Sequence, residues 1–62
     1  GKVGNSAVQE VVAAMNYYGA QDAIAITNSQ FTRSARKLAQ PNGVELWERK
    51  QLIDLIMKAK TS

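Results

Sequence analysis

The stretch Ala23-Ile24-Ala25-Ile26-Thr27 is apolar and partly β-branched, and two turn-forming residues, Asn28 and Ser29, follow it. A short apolar run that ends in turn residues favours a buried β-strand over a helix. Because apolar residues are nearly continuous along the run, we expect both faces of this strand to be covered. Since helical patterns precede and follow it, the strand decides the fold class as α/β.

The segment before this strand has the spacing of an amphipathic helix. Apolar residues recur on one helical face at Val8, Val11, Val12, Met15 and Tyr18. Ser6 with Gln9 fits a capping box, and Gly19 stands where a left-handed C-terminal residue is usual. The pattern predicts a helix from Ala7 to Tyr18.

The segment after the strand predicts a helix, a strand and a last helix. A short helix follows from the spacing of Phe31, Ala35, Leu38 and Ala39. Its preferred N-cap is Thr32, with Asn28 and Ser29 as competitors, and Pro41-Asn42-Gly43 ends it. A short strand, Val44 to Trp47, leads into a helix with a broad apolar stripe of Leu52, Ile53, Leu55, Ile56 and Ala59.

The order helix, strand, helix, strand, helix implies a small parallel strand pair joined by a right-handed crossover and covered by helices. Two strands offer too little sheet for three helices that each carry an apolar face. We therefore expect further strands beside these two, outside residues 1–62. Residues 1–62 are then part of one domain. The first few residues and Thr61–Ser62 are expected to be loose.

The composition excludes several classes of enzyme site. The 62 residues include no cysteine and no histidine, which removes disulfides, thiolate ligands and imidazole bases. The longest apolar stretch, Ala23 to Ile26, is too short for a membrane helix, so we expect a cytoplasmic protein without a membrane partner. Eight basic against five acidic residues are compatible with nucleic acid without requiring it.

Several blocks along the chain, taken in order, resemble Mrr-like restriction endonucleases. The blocks are Val-Gly-Asn-x-Ala-Val-Gln-Glu at 3–10, Ala-Met-x-Tyr-Tyr-Gly-Ala at 14–20, Ile-Thr-Asn-Ser-x-Phe-Thr-x-x-Ala at 26–35 and Val-Glu-Leu-Trp at 44–47. Together they are more specific than one short motif. The resemblance implies the C-terminal half of a restriction-endonuclease-like fold, whose PD-(D/E)xK-type site cuts DNA with magnesium.

By this resemblance, the metal-binding aspartate and the Gln-x-Lys or Glu-x-Lys pair lie on two strands before Gly1. In such a site a carboxylate holds the metal that activates water, and a lysine supports the charged oxygen. We therefore expect no catalytic residue, metal ligand or cofactor in this chain, which alone should be inactive. Magnesium and the remaining nuclease domain are expected partners of the complete protein. Lys2 is a candidate for the catalytic lysine, but no acidic or glutamine residue stands two positions before it, and it is interpreted as a solvated loop lysine.

One departure from the family pattern is Glu48, where a shorter aspartate is expected to cap the last helix. Gln9 and Glu10 are candidate auxiliary residues, because either could orient a metal-bound water. The structural alternative is that Gln9 completes the capping box and Glu10 interacts favourably with the helix dipole.

Two groups of residues are candidate DNA contacts. Thr27, Asn28 and Ser29 end a strand just before a helix, where hydroxyls and amides readily bind a phosphate, although turn and capping chemistry explains them equally well. A basic surface for the DNA backbone is predicted on the second helix by Arg33, Arg36 and Lys37. The alternative for this second group is ordinary solvated charge.

The aromatic residues and the sheet edge leave two further alternatives open. Tyr18, Phe31 and Trp47 are expected to pack in the core rather than stack on bases, and Tyr17 is not assigned. A non-catalytic DNA-binding module, or a module that pairs with a second copy through its open sheet edge, is the alternative to a nuclease.

Overall fold

The computed structural model of the chain describes residues 1–61, which form three α-helices and four short β-strands. In chain order the elements are β1 Lys2–Val3, α1 Asn5–Tyr18, β2 Ala23–Ile26, β3 Gln30–Phe31, α2 Arg33–Ala39, a 3₁₀ turn Gln40–Asn42, β4 Val44–Trp47 and α3 Arg49–Thr61. The α/β class predicted from the sequence is confirmed.

Strands β2 and β4 form the predicted parallel pair. Ala23 lies opposite Val44, and Ile26 lies opposite Trp47. The pairing extends beyond both ends of β2, because Ala23 N donates to Gly43 O at 3.1 Å and Thr27 N donates to Trp47 O at 2.9 Å. The connection between the two strands contains β3 and α2.

A second parallel pair, β1 with β3, was not predicted. Val3 lies opposite Phe31, and Thr32 N donates to Val3 O at 2.8 Å. The expectation that the first residues are loose is therefore wrong, and Lys2 lies on a strand rather than in a loop. At the other end, Thr61 is the last residue of α3, and Ser62 lies outside the described residues.

Helix α1 begins two residues earlier than predicted. It starts at Asn5, and its N-cap is Gly4, which has extended backbone angles and makes no side-chain capping hydrogen bond. The predicted Ser6–Gln9 capping box is wrong, because both residues lie inside the helix. The predicted end is confirmed: Gly19 has φ +68°, and its N–H donates to Asn16 O.

The hydrophobic core lies between α1, α2 and one face of the β2–β4 pair. Its buried residues are Val8, Met15, Phe31, Ala35, Ala39 and Val44, and Val8 is completely buried. From the sheet, Ala23, Ala25 and Leu46 pack against this cluster. Because side chains alternate along a strand, these residues occupy one face of the sheet, and Ile24 and Ile26 occupy the other.

The other face of the β2–β4 pair is exposed, so the expectation of a strand covered on both faces is wrong. Ile24 is 52% exposed and Ile26 is 56% exposed. Helices α1 and α2 pack against the same face, and α3 leaves Ile53, Leu55 and Ile56 about half exposed. Tyr18, which was expected in the core, is 79% exposed.

The remaining aromatic residues differ in their burial. Phe31 is buried as predicted, and Trp47 is half-buried. Tyr17 is exposed and makes an edge-to-face contact with Tyr18, with the ring centroids 4.9 Å apart. None of the helices within residues 1–61 has the length and apolarity that crossing a membrane requires.

Candidate nucleic-acid interface

The candidate interface lies where the parallel strands β2 and β4 end. Parallel strands have their C-terminal ends at the same edge, so the segments that follow them become neighbours. Residues 27–29 follow β2, and residues 48–50 follow β4. Arg49 N donates to Ser29 O at 3.2 Å, and this hydrogen bond holds the two segments side by side.

The turn after β2 is held by the hydroxyl groups of two of its residues. Ser29 N donates to Thr27 Oγ1 at 3.1 Å, and Ser29 Oγ donates to Gly1 O at 2.5 Å. The turn chemistry considered as the alternative role of Thr27 and Ser29 is therefore present. Asn28 differs from both, because it is exposed.

An open groove of about 500 Å³ runs between this turn and the beginning of α3. Asn28, Ser29 and Gln30 line one wall. The other wall consists of Glu48, Arg49 and Lys50, with Ile53 and Asp54 one turn further along α3. We call this the 28–50 groove.

Glu48 connects three elements around the groove through a single carboxylate oxygen. Its Oε2 accepts hydrogen bonds from Phe31 N on β3 and from Arg36 Nη2 on α2, both at 2.7 Å. Glu48 itself immediately precedes α3. The Arg36 guanidinium and the Phe31 N–H together hold the pKa of the Glu48 carboxyl below its usual range, and the charge of Lys2 acts in the same direction.

The contacts of Glu48 explain its departure from the family pattern. Its side chain contacts Phe31 and Arg36 rather than the N-terminal amides of α3. The helix start is instead stabilised by Gln51, whose Oε1 accepts from Glu48 N at 2.9 Å. This is the reciprocal half of a capping box, so the expected aspartate cap is replaced by a different arrangement.

The three basic residues of α2 are exposed and lie within about 100° of one another around the helix axis. Arg36 forms an ion pair with Glu48, whereas Arg33 and Lys37 have no ion-pair partner among residues 1–61. The predicted N-cap of this helix is confirmed, because Thr32 Oγ1 accepts from Ala35 N at 3.1 Å.

Gln9 and Glu10 are both exposed on α1. Because α1 begins at Asn5 and has no acidic residue in its first turn, the structural roles considered for these two residues are wrong. Their auxiliary catalytic role stays a prediction.

Residues 1–61 contain no group of three or more His, Cys, Asp or Glu side chains that could hold a metal ion. Glu45, the acidic residue nearest to Glu48 in sequence, instead accepts a hydrogen bond from Trp47 Nε1 at 2.6 Å. The two carboxylates therefore have separate partners.

Sequence reasoning missed the contribution of Gln30, Arg49 and Lys50 to the groove. A signal for the two basic residues was available, because they directly follow the second strand of a predicted parallel pair. The same rule that selected Thr27–Ser29 after the first strand applies to residues that follow the second strand.

Comparison with known protein families gives a match over most of the chain. A family model described as restriction endonuclease, Mrr_cat, matches residues 1–56. No curated protein matches the chain significantly. No solved structure matches it significantly either.

Proposed function

The chain belongs to the Mrr_cat family of restriction endonucleases, and on this premise we propose that it is the part of a DNA endonuclease domain that contributes fold and DNA-backbone contacts. The observation that carries the proposal is the meeting of the two post-strand segments, with basic residues of α2 and α3 beside them, at one edge of the sheet. Edges of this kind are where α/β proteins bind phosphorylated ligands.

We assign the backbone contacts to two groups. The first is the turn Thr27–Ser29, whose exposed member is Asn28. The second is the exposed side of α2, where Arg33 and Lys37 have no acidic partner among residues 1–61 and Arg36 is paired with Glu48. Contacts of this kind orient a protein on DNA without reading its sequence.

The metal-binding carboxylate and the catalytic lysine are proposed to lie in sequence that precedes Gly1 in a longer nuclease domain. The exposed face with Ile24 and Ile26 supports this, because it offers apolar surface against which further elements of such a domain can pack. Magnesium would then be held by residues outside this chain.

The experiment is to add the 62-residue chain to supercoiled plasmid and to a short DNA duplex, with and without magnesium chloride. We expect binding that weakens as salt rises, with a slope of about −0.9 per phosphate contact on a log–log plot. We expect no nicking. Efficient magnesium-dependent cleavage by the chain alone would contradict the division of roles proposed here.

A matched set of variants tests the assignment to α2. Replacing Arg33 and Lys37 together with glutamine should reduce the salt slope by about 2, because each phosphate contact contributes about 1. Lys60→Gln, a charge change near the far end of α3, is the control and should leave the slope unchanged. Equal slopes in all three proteins would mean that the charges of α2 are only solvated.

Gln9 and Glu10 are proposed as auxiliary residues that orient a metal-bound water in the complete nuclease. Both side chains are exposed, and neither has the structural role in starting α1 that was first considered for it. These observations support testing both residues in the complete nuclease. Gln9→Ala in the complete protein should lower cleavage without lowering the melting temperature. Retained cleavage with lower thermal stability would remove the catalytic role.

Self-association is a second candidate function, supported by the free edge of β2. The hydrogen bonds from Ala23 N and Thr27 N go to β4, so the backbone groups of Ile24 and Ile26 point to the opposite edge. Within residues 1–61 no strand pairs with that edge. Exposed strand edges pair readily with a second copy.

Analytical ultracentrifugation over a range of concentrations tests this second candidate. The chain should form dimers at high concentration, and replacing Ile24 and Ile26 together with lysine, whose charges oppose pairing of strand edges, should shift it toward monomer. A clean monomer at the highest concentration would exclude self-association.

A further inference from the structure

We propose that the 28–50 groove is a second binding site for DNA backbone phosphates, in which Arg49 and Lys50 pair with the phosphates and the amides of Asn28 and Gln30 donate hydrogen bonds from the opposite wall. The inference rests on the proposed function, since it takes duplex DNA as the partner. It adds three residues, Gln30, Arg49 and Lys50, to the contacts already assigned to the turn that contains Asn28 and to α2.

The charge balance of the groove favours an anionic occupant. Arg49 and Lys50 are exposed, and no ion pair neutralises either of them within residues 1–61. The carboxylate of Glu48 already accepts hydrogen bonds from Arg36 and Phe31. Asp54 is then the one other acidic residue on the groove, so the two cations exceed the available negative charge. Charge complementarity therefore points to a polyanion.

The polar groups of the groove suit a phosphodiester rather than an apolar ligand. Asn28 and Gln30 are exposed on the groove and carry amide groups that donate hydrogen bonds. Of the residues that line the groove, Ile53 is the one with a large apolar side chain. An arginine, a lysine and two amides are side chains that commonly contact DNA phosphates.

The walls of the groove are fixed before any ligand binds. Arg49 N donates to Ser29 O across the groove. Within the turn, Ser29 N donates to Thr27 Oγ1, and Ser29 Oγ donates to Gly1 O. Glu48 holds the beginning of α3 against β3 and α2. Binding to such a site costs little ordering of the backbone, which favours affinity.

The position of the groove places it beside the charges already assigned. The Arg36–Glu48 ion pair joins α2 directly to the residue before α3. The exposed basic side chains of α2 and of the beginning of α3 therefore lie on either side of this ion pair. The acidic residue Asp22 lies away from the groove, because it precedes β2 and is therefore at the opposite end of the strand pair. One DNA backbone can thus contact both helices at this edge.

The test measures the salt dependence of binding to a short DNA duplex by the 62-residue chain and its variants. Arg49→Gln and Lys50→Gln should each reduce the slope by about 1, as expected for the loss of one phosphate contact. Asn28→Ala should weaken binding severalfold with an unchanged slope, because the amide is neutral. Lys60→Gln is the matched control on the same helix and should change neither quantity.

The outcomes distinguish a failure of the groove inference from a failure of the proposed DNA-binding function. All four positions are exposed, and circular dichroism checks that each variant keeps the fold. If the chain binds the duplex and the slopes of Arg49→Gln and Lys50→Gln equal that of the unmodified chain, the groove inference is overturned and the DNA-binding proposal stands. If the unmodified chain does not bind the duplex, both are overturned.

Discussion

At the scale of single residues, Glu48 shows how one carboxylate can hold several elements in place. Its Oε2 accepts from the backbone of β3 and from the guanidinium of α2, and the residue leads directly into α3. The carboxylate is partly accessible to solvent, with 21% of the side chain exposed. The ionised form makes these hydrogen bonds best, which couples the fold to pH.

Glu48→Gln should remove a part of the stability that depends on pH. Because the folded-state pKa of Glu48 is lowered, its contribution to stability is fully present above the unfolded-state pKa and is lost as pH falls through the folded-state pKa. Melting temperatures of the two proteins should therefore differ at neutral pH and converge in acid. Glu10→Gln, at an exposed position of α1, is the control and should follow the unmodified chain. A constant difference in melting temperature between Glu48→Gln and the unmodified chain across the pH range would rule out this linkage.

Two glycines with the same backbone conformation should respond differently to an added methyl group. Gly19 has φ +68° and open space where a Cβ would lie, whereas Gly43 has φ +73° and a Cβ there would lie 2.6 Å from Gln21 O. Gly19→Ala should cost about 1–2 kcal/mol, the cost of a left-handed conformation. Gly43→Ala should cost at least about 3 kcal/mol, because overpacking against backbone adds to that cost. Urea denaturation measures both, and equal costs would contradict the steric explanation.

At the scale of elements, the short helix α2 depends on its cap. The helix has seven residues, and Thr32 Oγ1 satisfies one of its first free amides through Ala35 N. Thr32→Ala should destabilise the chain by about 1 kcal/mol, and Thr32→Ser, which keeps the hydroxyl, should be nearly neutral. Chemical denaturation of the two variants provides the comparison. Similar losses in both would show that the threonine methyl group, rather than the hydrogen bond, is responsible.

The elements that were predicted are those with a periodic apolar pattern or a distinctive turn residue. The three helices and the β2–β4 pair were predicted, and Gly19 marked the end of α1 correctly. Strands β1 and β3 have two residues each, which is too few for any alternation to be recognised. The start of α1 was missed because Gly4 caps it without a side-chain hydrogen bond.

Burial was harder to predict than secondary structure. An apolar run such as Ala23–Ile26 is typical of a strand covered on both faces. Which face a helix covers depends on tertiary packing, and here α1 and α2 both lie on the face of Ala23 and Ala25. For the same reason the groove was only half predicted: the sequence indicated the turn at Asn28 and Ser29, and the pairing of strands brought Arg49 and Lys50 opposite to it.

At the scale of the whole molecule, stability is distributed unevenly. Helices α1 and α2 surround the buried core, whereas α3 packs mainly against β4 and leaves much of its apolar side exposed. Domains of this size have about 3–9 kcal/mol of total stability, so weakly packed elements open separately. This arrangement predicts that α3 is the least protected helix.

Amide hydrogen exchange measured by NMR checks this prediction. Amides in the middle of α3, near Leu55, should exchange at least about tenfold faster than those near Val8 and Met15, whose side chains are buried in the core. The comparison is made within one sample, so total stability and solvent conditions are the same for both helices. Equal protection would mean that α3 opens only when the whole chain unfolds.

The hydrogen bond between Arg49 N and Ser29 O uses only main-chain atoms. The spacing between the two segments therefore does not depend on which side chains they carry, and amino acids there can be exchanged while the frame is kept. Natural divergence or directed evolution can then alter the chemistry at positions 28, 30, 49 and 50 one substitution at a time. This makes the edge of the sheet a suitable starting point for engineering new ligand preferences.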